Sequence, residues 1–220
     1  MAVRQWDVII IGNTSRNRYW GEGDEKPVRP AVCTTTLITC DGMRLIADPA
    51  FAEADRMAFE LDRRTGLKPA DVDAVFVTHS HSDHYAGLGS FPHAEWLAAP
   101  GVAREINDSG AYPRTVKPAA DRIGDDVSVI PTPGHTPDHH SLLFECGGLR
   151  IVVAGDAVMR RDFFEDRRGY FNSADPELAS RTIERLAAMA DIIVPGHDNY
   201  FLVRPAGTRP PDPRPGDAGR

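Results

Sequence analysis

Four side chains able to bind a metal fall within six residues of this chain: His79, His81, Asp83 and His84, in the run His79-Ser80-His81-Ser82-Asp83-His84. Imidazole nitrogen and carboxylate oxygen are the usual donors to zinc, at about 2.0–2.2 Å, and alternate residues of a loop leaving a strand can aim at one point. A polar loop with stacked histidines is the competing explanation. It weakens further along the chain, where Pro133-Gly134-His135, Gly155-Asp156 and Pro195-Gly196-His197 each place a His or Asp directly after Gly, near a strand end. Glycine at such points lets backbone approach a crowded site. Each segment alone is uninformative; together, behind the histidine cluster, they indicate metal binding.

These residues need rigid elements to position them. Ala74–Thr78 reads as a strand running into the histidine motif, and Ser82 or Asp83 is suited to cap a helix starting near Tyr85. Val127–Pro131, Ser141–Cys146 and Leu149–Ala154 are strand-like, with Gly147-Gly148 as a turn, and Ile192–Val194 delivers His197. Upstream, Val8–Ile11 reads as a buried strand. Cys33–Cys40 and Arg44–Ala47 flank Asp41-Gly42, which suits a type I′ hairpin turn. Glu53–Thr65, with apolar Met57, Phe59 and Leu61, predicts a helix ended by Gly66, followed by a short turn from Pro69 to Val72. Pro176–Ala190 predicts an amphipathic helix capped by Asp175, with Leu178, Ile183, Leu186, Ala187 and Met189 on its apolar face. The polar loop 13–31 carries Tyr19 and Trp20 and either folds over a site or packs on the surface. Strands in both halves with helices between them suit a layered α/β arrangement. One domain is expected over residues 1–203. From Arg204 to residue 220 the Pro, Gly, Asp and Arg composition predicts a disordered tail.

At 220 residues a single domain buries roughly 70% of its unfolded surface, so stability needs no scaffold of disulfides or metals. Cys33, Cys40 and Cys146 show neither a CxxC pair nor a secreted framework and are expected to be reduced, packed thiols. The formal charge of −7 argues against a surface that tracks phosphate backbones, so nucleic acid is not the expected partner. The apolar run near the N-terminus is too short for a signal peptide or a spanning helix, which leaves a cytoplasmic, non-membrane protein as the expectation.

In its metal motifs the chain resembles the metallo-β-lactamase superfamily: THSHSDH at 78–84, TPGHTPDHH at 132–140, AGDA at 154–157 and PGHD at 195–198, over about residues 6–203. The resemblance implies a four-layer αββα metallo-β-lactamase sandwich of the α/β type, with two divalent metal ions at one edge of the sheets. It implies that His79, His81 and His135 bind the first ion, Asp83, His84 and His197 the second, and that Asp156 bridges them. Zinc is the expected ion, with iron or manganese also compatible. Asp83 and Asp156 become the catalytic carboxylates: the ions share a hydroxide that attacks the substrate, and Asp83 relays a proton. Asp48 stands where the superfamily has an aspartate after the second hairpin strand, and either orients a ligand histidine or only forms a turn before Pro49. His139 matches the second histidine of a GHTxGH pattern, although Asp138 replaces its glycine. His140 and His93 are expected to be structural or solvent-facing.

The stretch from Asp156 to Leu186 resembles N-acyl homoserine lactonases and implies a hydrolase of small-molecule esters or lactones. Those enzymes carry a tyrosine three residues after the bridging aspartate, where this chain has Met159. Met159, Phe163, Phe164 and Tyr170 are candidate pocket residues, alongside the simpler reading that they are core. Tyr170 is the candidate replacement for the missing tyrosine. Nuclease and thioesterase activities of the same fold are alternatives, as is an iron-dependent oxidoreductase. A homodimer is compatible with the resemblance.

Overall fold

The computed structural model describes residues 3–17, 20–23 and 26–203. Two six-stranded sheets carry the architecture. The first is ordered β1 (Val3–Ile10), β2 (Thr35–Cys40), β3 (Met43–Ala47), β4 (Ala74–Val77), β5 (Glu95–Ala98) and β6 (Lys117–Pro118). The second is ordered β12 (Phe201–Leu202), β11 (Ile192–Pro195), β10 (Leu149–Gly155), β9 (His140–Cys146), β8 (Val127–Pro131) and β7 (Arg122–Ile123).

Side-chain alternation along the strands produces three apolar layers. Ile38, Leu45, Phe76 and Leu97 of the first sheet meet Leu142, Phe144, Ile151, Val153 and Val194 of the second. On the first sheet's outer face, Leu37, Ile46 and Val75 pack under α1 (Ala54–Thr65) and α3 (Pro100–Asp108), through Met57, Leu61, Val102 and Ile106. On the second sheet's outer face, Val152, Ala154 and Ile193 pack under α5 (Pro176–Met189), through Ile183 and Leu186. β10 is apolar without interruption from Ile151 to Ala154 because both its faces are covered. The layers are therefore helix, sheet, sheet, helix.

Both sheets are mixed. β3, β4 and β5 run parallel, and β10 and β11 are parallel across the α5 connection. Such crossovers need about a dozen residues and put helices on the outer faces. They also bring the carboxyl ends of β4, β10 and β11, which lead into His79, Asp156 and His197, to one edge of the sandwich.

Several local expectations are corrected. The helix after the histidine motif, α2 (Ser82–Tyr85), starts earlier than anticipated; His81 precedes it without a side-chain cap, and Asp83 lies inside it facing His197. In the Asp41-Gly42 turn only Gly42 takes a positive φ (82°), so the turn is not type I′; Gly147-Gly148, at 60° and 78°, meets that requirement instead. Phe59 is 61% exposed, because Met57 and Leu61, four residues apart, share the buried face of α1 and Phe59 points away from it. Strand β5, helix α3 and the short helix α4 (Arg161–Glu165) were not anticipated. Among the described residues no helix is long and apolar enough to cross a membrane. Trp20 is 64% exposed, whereas Tyr19 and the expected tail from Arg204 lie outside the described residues.

Candidate metal centre

The ligand-type residues follow the ends of four strands, directly or through a short loop or helix. β4 leads into His79 and His81, α2 carries Asp83 and His84, the β8–β9 loop carries His135, and β10 and β11 lead into Asp156 and His197. Two donor groups result, His79, His81, His135 and Asp156 in one and Asp83, His84 and His197 in the other, with the donor atoms of each within 4.8 Å of one another. The Asp156 carboxylate faces both. Its Oδ2 lies 3.2 Å from His135 Nε2 and 3.7 Å from His79 Nε2, and its Oδ1 lies 3.2 Å from His84 Nε2 and 3.3 Å from His197 Nε2. Within the groups, His135 Nε2 approaches His81 Nδ1 at 3.1 Å, and His197 Nε2 approaches Asp83 Oδ2 at 3.5 Å.

The outward ring nitrogens are held by the protein, which fixes where the inward lone pairs point. His84 Nδ1–H donates to Asp48 Oδ2 at 2.9 Å. The Thr78 hydroxyl also donates to Asp48 Oδ2, at 2.8 Å, leaving its oxygen to accept from His79 Nδ1–H at 3.1 Å. His197 Nδ1–H faces the carbonyls of Val32 and Asn13 at 2.9 and 3.1 Å, and Ser173 Oγ stands 3.4 Å from His135 Nδ1. Asp48 thus steadies one histidine from each donor group. It is 1% exposed and holds the left-handed backbone conformation (φ 51°), a strained state for a non-glycine residue that its three side-chain bonds over-determine.

His139 is buried and stacks on His79 with ring centroids 5.0 Å apart. Its Nδ1–H donates to Thr132 Oγ1 at 2.8 Å, and its Nε2 accepts from the Ala157 amide at 3.2 Å, so it holds the backbone next to Asp156. His140 bonds the Asp138 carbonyl and His93 is exposed; neither belongs to a donor group.

Backbone compression completes the geometry. A Cβ on Gly196 would collide with Asp156 Oδ1, so only glycine lets the chain pass behind the shared carboxylate. Gly134 takes a φ of 135° against the start of α5, from which Asp175 N donates to the Gly134 carbonyl at 2.9 Å.

The electrostatics suit cation binding. Burial, with neighbouring His84, pushes His79 well below its ordinary pKa, and burial likewise lowers His81 and His139, which keeps these rings neutral. Burial alone would lower His84 and His197 too, yet the Asp156 carboxylate overrides it and draws positive charge onto both rings. Burial would raise Asp156, but the facing His197, His84 and His135 hold it well below the usual carboxylate range. His79 Nε2 and Asp156 Oδ1 are buried without a hydrogen-bond partner, even though histidine nitrogens surround that oxygen. Two unpartnered donor atoms within a convergent set of nitrogens and oxygens, around an anion that demands positive charge, fit divalent cations.

The pocket candidates separate. Phe164 packs into the core beneath α5, 4.9 Å from Phe201, and that packing accounts for its burial. Met159 is buried, and its carbonyl accepts from the His197 amide at 2.9 Å. Phe163 and Tyr170 stack edge to face at 5.1 Å, on the segment that leads to Ser173. Sequence reasoning gave no role to Thr78, Ser173, Asn13 or Val32. Thr78 adjoins the motif and was the one that adjacency could have pointed to; the others reach the site only through the fold.

The family model described as metallo-beta-lactamase superfamily matches residues 28–197. Metallo-beta-lactamase domain-containing protein 1 of Xenopus laevis is 36% identical over 143 residues, which is 63% of this chain and 59% of that protein. An N-acyl homoserine lactonase of Bacillus cereus is 31% identical over 169 residues, 68% of this chain and 65% of that enzyme. The chain therefore spans less than two thirds of the length of these curated relatives. The crystal structure of a quorum-quenching N-acyl homoserine lactone lactonase superposes with a TM-score of 0.70, covering 91% of this chain and 99% of that one at 22% identity, a likeness of fold.

Proposed function

Since the chain belongs to the metallo-β-lactamase superfamily, we propose that it is a metal-dependent hydrolase that holds two divalent ions and cleaves an ester or lactone in a small molecule. One observation carries the reading: the two oxygens of Asp156 face two separate donor groups. His79, His81, His135 and Asp156 would hold one ion, and Asp83, His84, His197 and Asp156 the other; zinc fits these donors, as do iron and manganese. Bound there, such a pair supplies Lewis acidity and lowers the pKa of a water towards neutrality.

The chain's own groups perform the remaining tasks. Asp48 and Thr78 hold His84 and His79 in one tautomer each, so the donors are oriented before substrate arrives. Asp83, whose side chain is 30% exposed, has the solvent access to take up a proton and deliver it to the departing oxygen. Phe163 and Tyr170 offer an apolar wall for the acyl part, and Met159 braces His197 through its backbone. The 31% identity to a named lactonase supports lactones and esters over other bonds.

A hydrolysis panel of lactones, aryl esters, thioesters, nitrocefin and single-stranded RNA, run with zinc, manganese and iron, tests the reading. Lactone or ester turnover that is lost in His84→Ala and Asp156→Asn is expected, with near two equivalents of metal per chain. Full activity in His84→Ala, or turnover of RNA alone, overturns it.

A further inference from the structure

His197 is held from two sides by segments distant from it in the chain. Its amide donates to the Met159 carbonyl at 2.9 Å, on the segment that follows Asp156. Its ring Nδ1–H faces the carbonyls of Val32 and Asn13 at 2.9 and 3.1 Å, at the two ends of the loop after β1. Paired backbone bonds between Asn13 and Val32, at 2.8 and 2.9 Å, set those two carbonyls relative to each other but not relative to Met159.

Arg160 supplies that link. It follows Met159 and is 4% exposed, and its guanidinium bonds both oxygens of the buried Asp162, at 3.1 and 2.8 Å. Nη1 then crosses to Thr14, the neighbour of Asn13, reaching Oγ1 at 2.6 Å and the Arg16 carbonyl at 2.8 Å. The Thr14 hydroxyl donates to the same Arg16 carbonyl, so its oxygen is left to accept from Arg160. A closed circuit results: the His197 amide to Met159, along the chain to Arg160, across to Thr14, along the chain to Asn13, and back to the His197 ring. A planar guanidinium suits this task, because the bonds to Asp162 set the direction in which its remaining N–H groups point.

Stability does not account for the arrangement. Desolvation offsets much of the attraction in a buried ion pair, and apolar residues of similar volume often stabilise a fold as well. Arg160 is also outside both donor groups. What the pair supplies is a fixed distance between the two segments that hold His197.

We propose that Arg160 is a positioning residue for the second donor group: by tying Thr14 to the Met159 segment it sets the direction in which His197 Nε2 faces Asp83 and Asp156. The proposal rests on the two-ion reading above. Residues that orient a ligand histidine typically change metal affinity about 10–100-fold when lost.

The experiment titrates chelator-stripped protein with zinc against a competing chelator. Arg160→Met and Thr14→Val should each weaken one zinc equivalent about tenfold or more and leave the other within about threefold. Thr14→Ser keeps the oxygen and should match the wild type. A second readout needs neither metal nor turnover: the His197 Nδ1–H resonance, assigned by its loss in His197→Ala, should exchange with solvent faster in Arg160→Met and Thr14→Val only. Both equivalents weakened alike, both unchanged, or an effect of Arg160→Met that Thr14→Val does not reproduce overturns the proposal. If Arg160→Met does not fold, the comparison of Thr14→Val with Thr14→Ser decides. If the wild type takes up fewer than two zinc ions, the two-ion reading fails, and the exchange rate alone decides the role of Arg160.

Discussion

Asp48 Oδ2 accepts from His84 Nδ1–H at 2.9 Å while the same oxygen takes the Thr78 hydroxyl, so one buried carboxylate braces both donor groups. Asp48→Asn preserves size and tolerates the left-handed backbone but removes the anion. Metal affinity should fall about 10–100-fold, with little change in fold, when measured by chelator competition. Unchanged affinity would show that His84 and His79 need no such brace.

Gly196→Ala places a methyl group against Asp156 Oδ1. The shared carboxylate has to move, so metal stoichiometry should drop below two per chain while far-UV circular dichroism stays as in the wild type. Mass spectrometry of the native protein checks the count.

Leu61 is fully buried and Phe59 is 61% exposed two positions earlier on the same helix. Leu61→Ala should destabilise by about 2–5 kcal/mol in urea unfolding. Phe59→Ala should stay within about 0.5 kcal/mol. The reverse ranking would mean that α1 docks through its other face.

Chelation should leave the chain folded, because three apolar clusters assemble without any ligand residue. Metal then adds stability by mass action, about 4 kcal/mol when free metal is a thousandfold above Kd, or roughly 8–16 °C in melting temperature for a chain of this size. Loss of far-UV signal on chelation would contradict this.

Burial pushes the Cys33 thiol well above its ordinary pKa, with Asp48 adding to the effect, and burial also raises Cys40. Cys146 is only partly buried. A thiol reagent at pH 8 should titrate Cys146 first and reach Cys33 only after unfolding, as peptide mapping would reveal.

Much of the candidate site could be read from sequence because its candidate ligands are short-range signals, clustered in one motif or placed directly after glycine. The hairpins and α5 were legible for the same reason, through Gly147-Gly148 and the Asp175 cap, whose side chain accepts from the Leu178 amide. What escaped is what depends on distant partners. The four residues of β5 and an α3 that opens Pro100-Gly101 carry weak local preference and are stabilised by the sheet they cover. The Arg160 bond to Thr14 spans 146 residues, and that of Ser173 to His135 spans 38; neither has a local signature. Phe59 misled because hydrophobicity alone does not say which side of α1 meets the sheet.

The shared carboxylate of Asp156 has a thermodynamic consequence. Its oxygens are committed in opposite directions, and the backbone pressed behind it by Gly196 leaves no room to turn toward either side. Under the two-ion reading, occupancy of one half presets the carboxylate for the other. Linkage then requires that each of two such ions change the affinity of the other by the same factor.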